Sequence, residues 1–99
     1  MQEINAVLIS KEDNVVVARE KIEKNNDVVY MDLDGKINSF KAINDIKIYH
    51  KIARNEIKKD AHIVKYGEHI GVASEDIHIG NHVHEHNVIG VRENLDELV

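Results

Sequence analysis

Short apolar runs rich in Ile and Val alternate with polar clusters along the whole chain, the rhythm of short strands rather than long helices. Three segments, 17–28, 52–63 and 72–83, repeat one pattern. In each, a β-branched residue and an Ala (Val17-Ala18, Ile52-Ala53, Val72-Ala73) precede three polar residues and an Ile (Ile22, Ile57, Ile77). Three positions later stands Asn25, Asp60 or Gly80, and three beyond that Val28, Ile63 or Val83. Asn, Asp and Gly tolerate left-handed backbone, so their shared place marks a bend. The pattern reads as strand end, polar turn, buried Ile, tight bend and new strand.

This kinship settles one ambiguity. Taken alone, residues 13–24 have the spacing of an amphipathic helix capped by Asp13 or Asn14. Their likeness to the other two segments favours strand, turn and strand, with at most a helical turn near Lys21. Around this frame, Ile4 to Ile9 reads as an opening strand. Val28–Met31 and Lys36–Phe40 flank Asp32-Leu33-Asp34-Gly35, a hairpin turn in which Asp-Gly accepts positive φ. Lys65-Tyr66-Gly67 ends one strand, and Ile70–Ala73 begins the next. Residues 88–99 read as a C-terminal tail, acidic from Glu93 onward, with a helical turn at most. The expectation is one mainly β domain over residues 1–99, built of short strands folded back at repeated bends.

Composition narrows the chemistry. The 42% of hydrophobic residues can form a core, but aromatics are only 4%, so that core must be aliphatic. A formal charge of −5 argues against a nucleic-acid partner, which needs a basic face. Protonating all seven His would raise the sum from −5 to +2, so the charge is pH-sensitive. With no Cys there is no disulfide, thiolate zinc site or iron–sulfur ligation from this chain. Neither a leader at Met1-Gln2-Glu3 nor an apolar run near ~20 residues is present, so the expected setting is cytoplasmic, with no membrane partner.

The candidate chemistry lies near the C-terminus, in His82-x-His84-x-His86-Asn87. In a strand, residues at i, i+2 and i+4 leave the same face, roughly 6.6 Å apart, so neighbouring imidazoles can converge on a metal ion or an anion. A solvated edge strand that happens to carry His has the same spacing. His84 and His86 are the leading candidates for catalysis and metal ligation. His82 shares their face but lies farther along. Asn87 can bond a substrate hydroxyl or cap the strand end. His62, His69 and His78 read as surface residues, and Gly67 and Gly71 as backbone geometry.

A family resemblance runs through these residues. Asp13-Asn14-Val15, His50-Lys51, Lys65-Tyr66-Gly67, Ile70-Gly71, Asp76-Ile77, Gly80 and His82-Val83-His84-x-His86-Asn87 come in the order and spacing of one domain family. From about Asn5 to Asn87 the chain resembles the N-terminal domain of altronate and galactarate dehydratases, which is also found as a separate small subunit, including in sulfolactate sulfo-lyase. That domain is a SAF-type β-clip, a group that also includes antifreeze-like and pilus-assembly domains. Three positions depart from it: Tyr49 precedes the His-Lys pair where Gly is usual, and Asn25 and Asp60 stand at bends where Gly is common.

The resemblance implies a small subunit of a sugar-acid hydro-lyase that eliminates water to give a 2-keto-3-deoxy acid, inactive without a large dehydratase subunit. His50, Lys65, Tyr66 and Asn87 are the candidate substrate-binding residues, against the alternatives of a strand-start His facing solvent, a surface lysine, a half-buried ring and a strand cap. The resemblance leaves room for a divalent metal, iron or manganese, in the complete enzyme, and assigns no cofactor to this chain by itself. A homo-oligomer is left open. The chemistry suits these residue types, because removing a proton α to a carboxylate needs a metal or cations to hold the developing charge. The departing hydroxide needs an acid, and histidine titrates near neutrality. The sulfolactate variant, with sulfite leaving, keeps the same architecture. The competing classes are a free-standing histidine-based metal or ligand binder and a β-clip assembly or carbohydrate-binding domain.

Overall fold

The repeated isoleucines are where the chain closes on itself. Ile22 pairs with Ile46, and Ile57 with Ile77, each as an isolated antiparallel bridge bonded in both directions. All four side chains are buried. The computed structural model describes residues 3–90, and among them there is no helix. The strands are β1 (Ala6–Val7), β2 (Val15–Ala18), β3 (Asp27–Met31), β4 (Ile37–Lys41), β5 (Lys51–Ala53), β6 (His62–Lys65), β7 (Glu68–Ala73), β8 (His82–Val83) and β9 (Val88–Gly90). The mainly β expectation holds. The helical alternative for 13–24 does not, because Val15–Val17 pair with β5 and Ile22 with Ile46.

An antiparallel sheet in the order β1-β2-β5-β8 forms the centre, flanked by the β3-β4 hairpin and a β6-β7-β9 sheet. Alternation along the central strands buries both faces. Val16, Ala18 and Ile52 join Ala6, Leu8, Ile22, Val28, Tyr30, Ala42 and Ile46 in one cluster. Val15, Ala53 and Val83 join Ile57, Ile63, Ala73 and Ile77 in another. Successive strand residues point to opposite faces, so four short strands serve two cores.

Two asparagines hold the flanking sheets. Asn5 accepts the Val29 N–H and donates its amide to the Asp27 carbonyl; Asn14 accepts the Val64 N–H and donates to the His62 carbonyl. Asp13, next to Asn14, is buried, and its carboxylate accepts the N–H groups of Ser10, Tyr66 and Gly67. Both Tyr66 (φ 59°) and Gly67 (φ 73°) are left-handed, the signature of a two-residue hairpin turn, and Asp13 fastens that turn.

The bends fall where the repeat puts them: Asn25 (φ 75°), Asp60 (φ 74°) and Gly80 (φ 94°). A fourth copy, residues 41–52, escaped the sequence reading. It has Ala42, Ile46 and a left-handed Tyr49 (φ 69°) at the matching places. In every copy the bend N–H donates to the Ala carbonyl of a paired copy: Asn25 to Ala42, Tyr49 to Ala18, Asp60 to Ala73 and Gly80 to Ala53. Lys41 in place of a β-branched residue, Ile43 among the polar positions and Tyr49 at the bend hid this copy.

Two expected boundaries shift. The opening strand is only Ala6–Val7, since Asn5 is given over to β3 and Leu8 turns into the core. The expected tail from residue 88 begins as β9, paired to β7, because Val88 packs on the second cluster and Gly71 lets the β9 backbone approach closely. A Cβ at Gly71 would lie 2.6 Å from the Ile89 carbonyl oxygen. The acidic stretch from Glu93 lies outside the described residues.

Candidate functional site

The register between β5 and β8 brings distant histidines together. Ile52 pairs with His82 and Lys51 with Val83, so His50, just before β5, meets the start of the His-rich segment. His50 Nδ1 and His82 Nε2 are 2.8 Å apart, one donating to the other as their tautomers dictate. The rings stack, with centroids 5.0 Å apart for His50–His82, 4.5 Å for His50–His84 and 5.4 Å for His82–His84.

The strand does not continue through His86. It stops at Val83, and residues 84–87 form a turn closed by the Asn87 N–H donating to the His84 carbonyl. Asn87 is buried; its side chain accepts the His84 N–H and donates to the His82 carbonyl. Its amide is thus engaged by the backbone that presents His82 and His84, which favours the strand-end reading over a substrate contact. Asn44 supports the same segment from the other side, accepting the His82 N–H.

Among the described residues, His50, His82 and His84 form the group that suits a metal: each offers a nitrogen, and these lie within 4.8 Å of one another. All three are half-buried. Three converging imidazoles are a common donor set for divalent ions of intermediate softness. His86 is exposed and its ring lies tilted against His82, centroids 5.3 Å apart, outside this trio. Of the expected ligand pair, His84 lies in this trio with His50 and His82, and His86 lies outside it. Only the non-local pairing of β5 with β8 shows this.

Electrostatics set the protonation. Burial first, and then His50, His86, His84 and Lys51, push His82 down to about 4. Burial also lowers His50, with His84, Lys47 and Lys51 adding to it. Near neutrality these two rings are therefore uncharged, which suits a ligand or base and disfavours the general-acid role that histidine's ordinary titration suggests. Lys51, half-buried, is depressed by burial and by Lys65. A cavity of about 230 Å³, lined by Lys51, Ile70, His84, Glu85, Val88 and Gly90, opens beside the cluster. Lys51 and Glu85 were not singled out as binding residues from sequence, although Lys51 belongs to the His-Lys pair.

The other expected residues fall around this centre. Lys65 is half-buried, with its Nζ 5.0 Å from the centroid of the Tyr66 ring. Tyr66 itself is exposed at the hairpin turn. His62 and His69 are exposed and stack on each other at 4.2 Å, and exposed His78 bonds Glu56 at 2.8 Å. All three match the surface reading.

The family model for the altronate/galactarate dehydratase SAF domain matches residues 4–90. An altronate dehydratase of Bacillus subtilis (strain 168) is 40% identical over 92 residues, 93% of this chain and 17% of that enzyme. One of Escherichia coli (strain K12) is 37% identical over 86 residues, 87% of this chain and 16% of the enzyme. The (2R)-sulfolactate sulfo-lyase subunit alpha of Paracoccus pantotrophus is 44% identical over 43 residues, 43% of this chain and 64% of that subunit. The chain thus corresponds to about a sixth of the length of the two altronate dehydratases.

Proposed function

The chain belongs to the SAF domain family of altronate and galactarate dehydratases, and from that premise we propose that it is the small part of a sugar-acid hydro-lyase. It works with a large catalytic portion to eliminate water from a hexonate-like acid and form a 2-keto-3-deoxy acid. The observation that carries this reading is the meeting of His50, His82 and His84 beside the lysine-bearing cavity.

The parts divide the labour. Lys51 and Lys65 offer positive charge to a substrate carboxylate. Lys51 is depressed by burial and by Lys65, so a bound carboxylate would offset the repulsion between the two lysines. His50, His82 and His84 are the residues that would hold a divalent ion such as iron or manganese; when bound, it supplies Lewis-acid polarisation of substrate oxygens. Ile70 and Val88 keep one wall of the cavity apolar, which strengthens the field of the cations there. Gly90, the last residue of the family match, lines the same cavity.

The test is co-expression with the large dehydratase subunit of the same organism, followed by a dehydration assay on hexonates. The expected result is activity only in the complex, reduced about 100-fold or more by His84→Ala. A large subunit equally active alone, or a His84→Ala complex at wild-type rate, would overturn it. The match to the sulfo-lyase subunit favours a second reading, in which sulfite leaves instead of water. Assaying the same complex with sulfolactate for released sulfite separates the two.

A further inference from the structure

Of the histidines outside the trio, the fold brings two into contact with each other on a separate sheet. His62 on β6 and His69 on β7 stack with ring centroids 4.2 Å apart and planes 27° from parallel. Both are exposed, and neither belongs to the group formed by His50, His82 and His84. The exposed His78 ring is engaged by Glu56. Among the described residues, the His62 and His69 rings meet each other and no hydrogen-bond partner.

A β-bulge creates this pair. His62 pairs with Val72 and Ile63 with Gly71, but Val64 then pairs with His69 and skips Ile70. In an unbroken register Val64 would face Ile70, and His69 would leave the opposite face from His62. The extra residue reverses this: Ile70 packs on the second core cluster, and His69 joins the face that carries His62 and Val64. The backbone at His62 is fixed as well. Asn14 accepts the Val64 N–H and donates to the His62 carbonyl, and Asn87 makes the same two bonds at His84 and His82. Ile63 and Val83 hold the same place in the repeat, so His62 stands where the trio has His82.

We propose that His62 and His69 form a second metal site, a two-imidazole clamp for a Cu²⁺ ion. Two nitrogens bound to one ion at about 2.1 Å each lie at most about 4.2 Å apart. Nitrogens at matching places on stacked rings are separated by about the ring spacing, so small rotations of two exposed side chains bring them onto one ion. The choice of ion follows from the number of donors. Zn²⁺ takes a tetrahedral set with three or four protein ligands, more than one pair of histidines supplies. Cu²⁺ accepts nitrogen and oxygen donors in a tetragonal plane, so two imidazoles and water suffice, and it stands highest in the affinity order for such donors. An ion there ties β6 to β7 within the hairpin whose turn Asp13 fastens. The site does not depend on the function proposed above.

The test is calorimetric titration of the intact chain with Cu²⁺ at pH 7.5, where both imidazoles are free to ligate. Wild type is expected to take up two equivalents, one at the trio and one at the pair. His62→Ala and His69→Ala are each expected to lose one equivalent, and the double variant no more than either, because the two rings act as one site. Both side chains are exposed, so an unchanged melting temperature in the absence of copper checks that the fold is intact. Paramagnetic broadening of the His62 and His69 ring signals locates the ion. A second equivalent that persists in either single variant overturns the clamp and marks adventitious binding. A wild-type chain that takes up one equivalent, retained in the double variant, overturns it too. One equivalent that is lost with His62→Ala keeps the pair and removes the trio.

Discussion

At the scale of single residues, the bends show why one position is fixed and its equivalents are not. Asn25 and Asp60 stand in the open, but a Cβ on Gly80 would run into the Lys41 carbonyl oxygen. Gly80→Ala therefore adds a backbone clash to the left-handed penalty, and a loss of about 2–4 kcal/mol in denaturant unfolding is expected. Asn25→Gly is expected to lie within about 0.5 kcal/mol of wild type or to stabilise. Equal costs for the two would remove this account of the bend. His82 gives a second prediction at this scale. Its pKa is lowered to about 4 in the fold from 6.5, so the unfolded chain binds the extra proton first. The stability its neutral form contributes is full above about pH 6.5 and is lost as pH falls toward 4. The ring is half-buried, so solvent screening limits the effect to about 1–2 kcal/mol. NMR titration is expected to show His82 protonating well below pH 6.5, near 4. A His82→Gln variant should lose less stability than wild type between pH 7 and pH 4.5.

At the scale of elements, the repeat explains what was legible in the sequence and what was not. Three bends, the buried isoleucines and the Asp32–Gly35 turn were readable because their residue types carry the backbone requirement locally. The fourth copy was not, because Tyr49 contradicts the local rule that marks the others. The histidine segment was half legible. Alternation in His82-x-His84 was visible, but Asn87 ends the strand by bonding the backbone at both His82 and His84. His50 could join only through the pairing of β5 with β8, thirty residues apart at Ile52 and His82, which no local pattern encodes. Asn87→Ala tests this element directly. It leaves the half-buried His84 N–H and His82 carbonyl without the Asn87 partner, and a loss of about 1–2 kcal/mol in thermal unfolding is expected. Because the same bonds position His82 and His84, metal affinity should fall about tenfold with it. A destabilised variant that binds metal as wild type does would show that Asn87 supports the fold and not the site.

At the scale of the whole molecule, the central sheet assembles a site whose parts come from the middle of the sequence and from its C-terminal part. With a metal held by this trio, folding and metal binding would be one equilibrium, because the unfolded chain does not hold His50 beside His82 and His84. A divalent ion at 100 times its Kd would then stabilise the fold by about 2.7 kcal/mol, or about 11–22 °C in melting temperature for a domain of this size. Thermal unfolding with Mn²⁺ or Zn²⁺ at pH 7.5 checks this. The shift is expected to vanish in His50→Ala and His82→Ala and to survive in His86→Ala, whose ring lies outside the trio. It should shrink at low pH, where protonated imidazoles cannot ligate. The opposite pattern, a shift lost with His86 and kept without His50, would mean that the local alternation of the His-rich segment governs binding. In that case the distant pairing of β5 and β8 would have no part in the site, and the cavity beside Lys51 would have to serve an anion alone.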